Sequence, residues 1–344
     1  MKRKHFLSSL LGAPLIPAFS LRPLFGKKLA SEPDENLFTI PPYLKTGDTV
    51  GITCPAGHIS AEELEPAVNA LQSWGFKLRL GSTVGKRDFT FGGTDEERAA
   101  DFQQMLDDPS LQAILCARGG YGCIRIIDRL DFKKFTVRPK WIIGFSDVTV
   151  IHAHLNHNYR IASIHSKMCN SFPYRLNESE PGQLKSILSI REALTGSRVE
   201  YPLMPDPGNK NGIGTGILVG GNLKTIETLA GSASDIRTGG MILFVEDVGE
   251  YLYSIDRMFF SLKRTGKLHL LAGLLIGGFR VKEDDPGDEF GRSVYNIVLE
   301  HVAAYNYPVC FNFPVGHQKV NFALKCGVQH QLTVNDQEVI FKEI

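Results

Sequence analysis

The chain has 344 residues, 43% hydrophobic and 22% charged, the composition of a soluble globular protein with a sizeable core in one large or two ordinary domains. Its formal charge is +1 and it carries no basic stripe interleaved with aromatics, which sets nucleic-acid partners aside.

The amino terminus stands apart. Lys2, Arg3 and Lys4 precede an uncharged run from Phe6 to Leu21, and charge returns at Arg22, Lys27 and Lys28. A basic segment followed by a short apolar one predicts a signal peptide and its flank over 1–30, with a small-residue cleavage site at Ala18-Phe-Ser20. Arg3-Lys4-His-Phe-Leu7 also has the outline of a twin-arginine export signal, with lysine in the second position. The run falls short of the ~20 residues that span a bilayer, and Pro14 and Pro17 interrupt it, so no stable membrane anchor is expected after processing. An exported, periplasmic protein is the expectation; a cytoplasmic protein with a disordered tail is the alternative.

Residues 31–47 read as a linker, after which short apolar runs alternate with helical patterns. Asp48–Cys54, Lys77–Leu80, Ala113–Ala117 and Lys140–Ile143 are strand candidates. Ser60-Ala-Glu-Glu63 and Thr94-Asp-Glu-Glu97 are capping boxes, in which the hydroxyl accepts from an orphan helical N–H and the glutamate reaches back. The helices they open place Leu64, Val68, Leu71 and Trp74, and then Ala99, Phe102, Met105 and Leu106, on one face each. A helix through Ile124 and Ile127 and another over 147–157 complete an alternation that predicts a Rossmann-like parallel-sheet domain over 31–170. Residues 171–212, with Pro173, Pro181, Pro202, Pro205 and Pro207, read as an interdomain linker. Strand candidates at 216–218, 241–245, 271–276 and 332–334, with a helix near 223–229, predict a smaller α/β domain over 213–344.

In parallel sheets ligands bind beyond the carboxyl ends of the strands, and two unusual turns fall there. Gly144-Phe-Ser-Asp147 would raise the Ser146 hydroxyl above the sheet and aim the Asp147 N–H at a developing oxyanion. Helix capping by Ser146 or Asp147 explains the same segment. Arg118-Gly-Gly-Tyr-Gly122 lets the backbone approach a ligand, and Gly120 could supply a second oxyanion donor. A phosphate loop or a plain tight turn competes, although Walker and G-x-G-x-x-G spacings are absent. Glu246 and Asp247 end an apolar strand, so alternation points one of them inward, either as the acid of a triad or in a buried salt bridge with Arg257. His317 follows Phe313-Pro-Val-Gly316 in a loop. His152, His154 and His157 lack an acidic partner motif, and no HExxH occurs. The acidic run 283–289 does not have calcium-loop spacing and reads as a solvated loop. The six cysteines show no CxxC spacing, and Cys116 reads as a buried thiol.

Taken together, Val50-Gly-Ile-Thr-Cys-Pro-Ala56, Gly92–Arg98, Arg118–Gly122, Gly144–Thr149, Gly216–Leu223, Phe244–Asp247 and Pro314–His317 resemble the serine peptidase family of murein tetrapeptide L,D-carboxypeptidases and microcin-immunity peptidases. The resemblance covers about residues 40–330 and implies Ser146, Glu246 and His317 as a catalytic triad. Gly120 and Asp147 would be the oxyanion donors, and Arg118, Gly119, Tyr121 and Asn222 the substrate contacts. It further implies a serine carboxypeptidase that releases a terminal D-alanine from peptidoglycan tetrapeptides, with the site between the two domains, and a homodimer; a peptidase of another peptide conjugate, such as a microcin-like peptidyl nucleotide, or a non-catalytic muropeptide-binding protein is the alternative. No cofactor or metal is expected. Two segments depart from the family pattern: Asn321–Gly327, where a proline gives way to Lys325, and His165-Ser-Lys167, where the family reads His-Gly-Pro.

Overall fold

The computed structural model describes residues 38–344, so the expected signal peptide and the start of the following linker lie outside the described residues. The strands in chain order are β1 (Thr49–Thr53), β2 (Lys77–Leu80), β3 (Ala113–Cys116), β4 (Trp141–Gly144), β5 (Ser163–His165), β6 (Glu200–Leu203) and β7 (Gly212–Asn222). They continue with β8 (Ile242–Val248), β9 (Gly273–Arg280), β10 (Val309–Cys310), β11 (Leu324–Cys326), β12 (Gln329–Val334) and β13 (Val339–Glu343).

They form two sheets, ordered β11-β5-β4-β3-β1-β2 and β10-β9-β8-β7-β12-β13-β6. In the first, β1 through β5 run parallel and β11 joins antiparallel to β5. In the second, β7 to β10 are parallel while β12, β13 and β6 add antiparallel pairs. The α/β class is as the sequence predicts.

Both capping boxes form, opening α1 (Ala61–Ser73) and α2 (Asp95–Asp107). Leu64 and Leu71 of α1 pack with Ile52 and Ile143 on one face of the first sheet. Phe102 and Met105 of α2 pack with Ile114 and Ile142 on the other. That second cluster continues without interruption to Val219, Leu243 and Met258, so the two sheets share one core. The six cysteines are all buried, free thiols.

The stretch 171–212 is not a bare linker. It holds a helix over Pro181–Thr195, opened by proline in its first turn and closed by left-handed Gly196, followed by β6. Ile187, Ile190 and Leu194 of that helix are buried against the first sheet. Pro202 lies in β6, an edge strand, where the missing N–H costs no ladder bond. The division at 213 is also crossed, because β6 belongs to the second sheet and β11 returns to the first. Among the described residues no helix is long and apolar enough to cross a membrane.

Candidate active site

Four parallel strands, β3 and β4 of one sheet and β7 and β8 of the other, end around the candidate residues. Ser146 follows β4 directly and holds a left-handed backbone with φ of 61°. Such a conformation is strained for a residue with a Cβ, and it belongs to sharp strand-to-helix turns that present a nucleophile. Phe145, Asp147 and Val148 are buried while Ser146 is partly exposed.

The glycine-rich turn lies against this serine. A Cβ on Gly119 would sit 3.0 Å from Ser146 Cβ and 3.3 Å from its Oγ, so the close approach requires glycine. The Asp147 carboxylate accepts the Cys123 N–H at 2.7 Å and ties the two turns together. Burial raises its pKa, opposed by that hydrogen bond. Arg98, fully buried, donates to the carbonyls of Gly122 at 3.0 Å and Pro55 at 2.5 Å, holding the turn from behind. The N–H groups of Gly120 and Asp147 have no protein acceptor among the described residues, and both residues line a cavity of about 270 Å³ with Ser146.

Glu246 is fully buried near the end of β8, at a break in the β8–β9 register. A bulge re-aims side chains, and here both Glu246 and Asp247 are buried, where alternation predicts one. Glu246 Oε2 accepts the His317 backbone N–H at 3.1 Å and its Nδ1–H at 2.6 Å. Because Oε2 already accepts the backbone N–H, the ring nitrogen facing it is best matched as the donor, which turns Nε2 away from Glu246. The imidazole packs on Phe145, ring centroids 4.9 Å apart, and no hydrogen bond joins it to Ser146 among the described residues. Gly316 has φ of 101°, and its N–H donates to Asn321 Oδ1 at 3.0 Å.

Asp247 turns to the cavity side instead. It accepts the Lys224 N–H at 2.8 Å, and burial pushes its carboxyl up to about 6. Asn222 ends β7, caps the following helix through Thr225 N–H, and lines the cavity with exposed Tyr121. Arg118 is drawn elsewhere, to Glu63 at 3.1 Å, and is not among the cavity-lining residues. Nor does Arg257 meet Glu246; it lies over the Tyr253 ring. His152 is a core residue bonded to Ser163 and the Gly144 carbonyl, held neutral by burial at about 4. His154 and His157 bond Ser234 and the Asp235 carbonyl. Lys224, Thr225 and Glu250 also line the cavity, and no local pattern in the sequence marks them.

Residues 50–166 match the model of the LD-carboxypeptidase N-terminal domain, and residues 215–332 that of the LD-carboxypeptidase C-terminal domain. The chain is 30% identical over 306 residues to the "Probable murein peptide carboxypeptidase" of Bacillus subtilis, covering 88% of this chain and 94% of that protein. It is 30% identical over 283 residues to the murein tetrapeptide carboxypeptidase of Pseudomonas aeruginosa, covering 81% and 91%. The crystal structure of muramoyltetrapeptide carboxypeptidase from Oxalobacter formigenes is similar with a TM-score of 0.75 at 27% identity, covering 86% and 98%.

Proposed function

Because this chain belongs to the LD-carboxypeptidase family, and so is a peptidase, we propose that it is a serine carboxypeptidase releasing a terminal D-alanine from peptidoglycan tetrapeptides at an L,D-peptide bond. The observation that carries the reading is the 2.6 Å contact between buried Glu246 and His317 Nδ1, with the imidazole packed on Phe145, the residue before a strained, partly exposed Ser146. The names of the Bacillus and Pseudomonas relatives support the substrate class.

In this mechanism His317 Nε2 takes the Ser146 hydroxyl proton as Oγ attacks the carbonyl carbon between the L- and D-residues. Glu246 orients the ring and stabilises the imidazolium. The N–H groups of Gly120 and Asp147 receive the oxyanion, and neither needs to break a protein hydrogen bond to do so. The imidazolium then gives its proton to the leaving amine. A water molecule, deprotonated by the same nitrogen, hydrolyses the acyl-serine. The missing Ser146–His317 bond is compatible with this, since catalytic contacts commonly tighten only when substrate is bound.

Incubating the processed protein with an L,D-tetrapeptide tests the reading. D-alanine should be released, and Ser146→Ala should nearly abolish release while leaving the fold intact. Activity that survives Ser146→Ala would refute the serine route; inertness toward tetrapeptides with cleavage of another amide would overturn only the substrate. Export to the periplasm is supported by the basic-then-apolar amino terminus. Fractionation should find a shortened chain there, and full-length cytosolic protein would overturn it.

A further inference from the structure

Two concavities flank the segment that joins the glycine turn to the His317 loop, and only one of them is lined by Ser146. The smaller, about 270 Å³, lies on the Ser146–Asp147 side. The larger is a groove of about 840 Å³ formed by the 167–183 region and Lys319. One short segment links this groove to the candidate catalytic groups. Lys167 donates from Nζ to the carbonyl of Gln318, next to His317, at 3.3 Å. Met168 Cε lies 3.1 Å, and Ser146 Cβ 3.0 Å, from where a Gly119 Cβ would stand.

The charges of the groove are unevenly matched. Arg175 pairs with Glu178 at 2.8 Å and Lys319 with Glu180 at 3.1 Å. Lys167 is only 8% exposed, yet its ammonium has no carboxylate within ion-pair distance among the described residues, and its one hydrogen bond is to a neutral carbonyl. Burial alone lowers its pKa. A buried cation left with a single neutral acceptor is unfavourable, and an arriving anion relieves it.

We propose that the groove holds the acyl side of the substrate, the peptide preceding the scissile bond, and that Lys167 pairs with a carboxylate of that peptide. The inference rests on the peptidase reading above. Volume sets the direction, because a single released residue fits the smaller cavity whereas a multi-residue acyl portion requires the larger groove. Lys167 thereby selects acidic stem peptides over neutral ones.

Three tetrapeptides test this: one with a free carboxylate upstream of the scissile bond, one amidated at that carboxylate, and one amidated at the C-terminus. Binding is measured calorimetrically in the Ser146→Ala background, so the readout does not depend on turnover. Lys167→Met is expected to weaken binding of the acidic peptide by about tenfold or more. The upstream amide should bind both proteins equally, and Lys167→Arg should restore most of the affinity. In the Ser146-containing enzyme the loss should fall mainly on KM. Lys167→Met should melt no lower than its parent, since it removes an unpaired buried charge; Lys167→Gln serves as a second neutral variant. Equal binding of the acidic peptide before and after Lys167→Met overturns the proposal. So does equal loss on the upstream amide, or a lysine effect abolished by the C-terminal amide. If the wild type cleaves none of the peptides, the peptidase reading fails while the binding arm still reports on Lys167.

Discussion

Replacing Gly316 with alanine is expected to uncouple Glu246 from His317 without changing the chemistry of either. A Cβ at position 316 would lie 2.4 Å from Glu246 Cβ and 2.6 Å from Glu246 Oε2. Relieving that overlap to ordinary carbon contact of ~3.5 Å needs a displacement of about 1 Å in the glutamate or the His317 loop. Misplacement of a catalytic group by this amount lowers turnover by ~10²-fold, and full loss of the orienting acid by up to ~10⁴-fold. The φ of 101° adds backbone strain of ~1–3 kcal/mol for any side chain. Strain and crowding can be separated with Gly287→Ala, where φ is 85° but nothing lies within 4 Å of the added Cβ. D-alanine release and thermal melting should be followed for both variants. Gly316→Ala is expected to lose both turnover and stability, and Gly287→Ala stability alone. Wild-type turnover in Gly316→Ala would show that the Glu246–His317 contact is not what the reaction depends on.

Two further substitutions probe neighbouring terms. Ser146→Gly should abolish release yet raise the melting temperature relative to Ser146→Ala, because glycine adopts the left-handed φ of 61° without steric cost; equal melting would mean that the turn stores no strain. Asp247 titrates near 6 in the folded protein, above the ~3.9 of an unfolded aspartate, so the native state binds the proton more tightly. Its stabilising contribution is present below about pH 4 and fades as pH rises through about 6. The melting temperature of Asp247→Asn relative to wild type should therefore climb across that window, and a flat difference would refute the assignment.

Much of this arrangement is legible in the sequence because it depends on local rules. The capping boxes at Ser60 and Thr94 and the all-apolar runs of β3 and β4 signal their elements directly. Ser146 and the glycine turn stand out because both need unusual backbone. The helix over Pro181–Thr195 carried its own boundary signals, an initial proline and Gly196, but the surrounding prolines masked its apolar spacing. β5 and β11 are three residues each, too short to show a period; β5 is defined by its pairing between β4 and β11, and β11 by its pairing with β5. The joint burial of Glu246 and Asp247 depends on a bulge against β9, which no reading of β8 alone contains. Arg118 is adjacent to the glycine turn in sequence, but a glutamate 55 positions earlier claims its guanidinium. Lys167 stands out in the sequence only as a departure from the family's His-Gly-Pro; its burial, like the cavity position of Lys224, depends on distant segments.

The return of β11 to the first sheet has a mechanical consequence. The loop bearing His317 leaves the second sheet at β10 and enters the first at β11, so the imidazole rides on a strap anchored at both ends. Separating the sheets would pull on His317 before it disturbed Ser146, whose turn belongs wholly to the first sheet. Cutting the chain between the two matched family regions would likewise leave the first sheet without its closing edge strand. His317 lies at the seam of the molecule, and under the proposed mechanism whatever loosens the seam should silence the chemistry before it unfolds the chain.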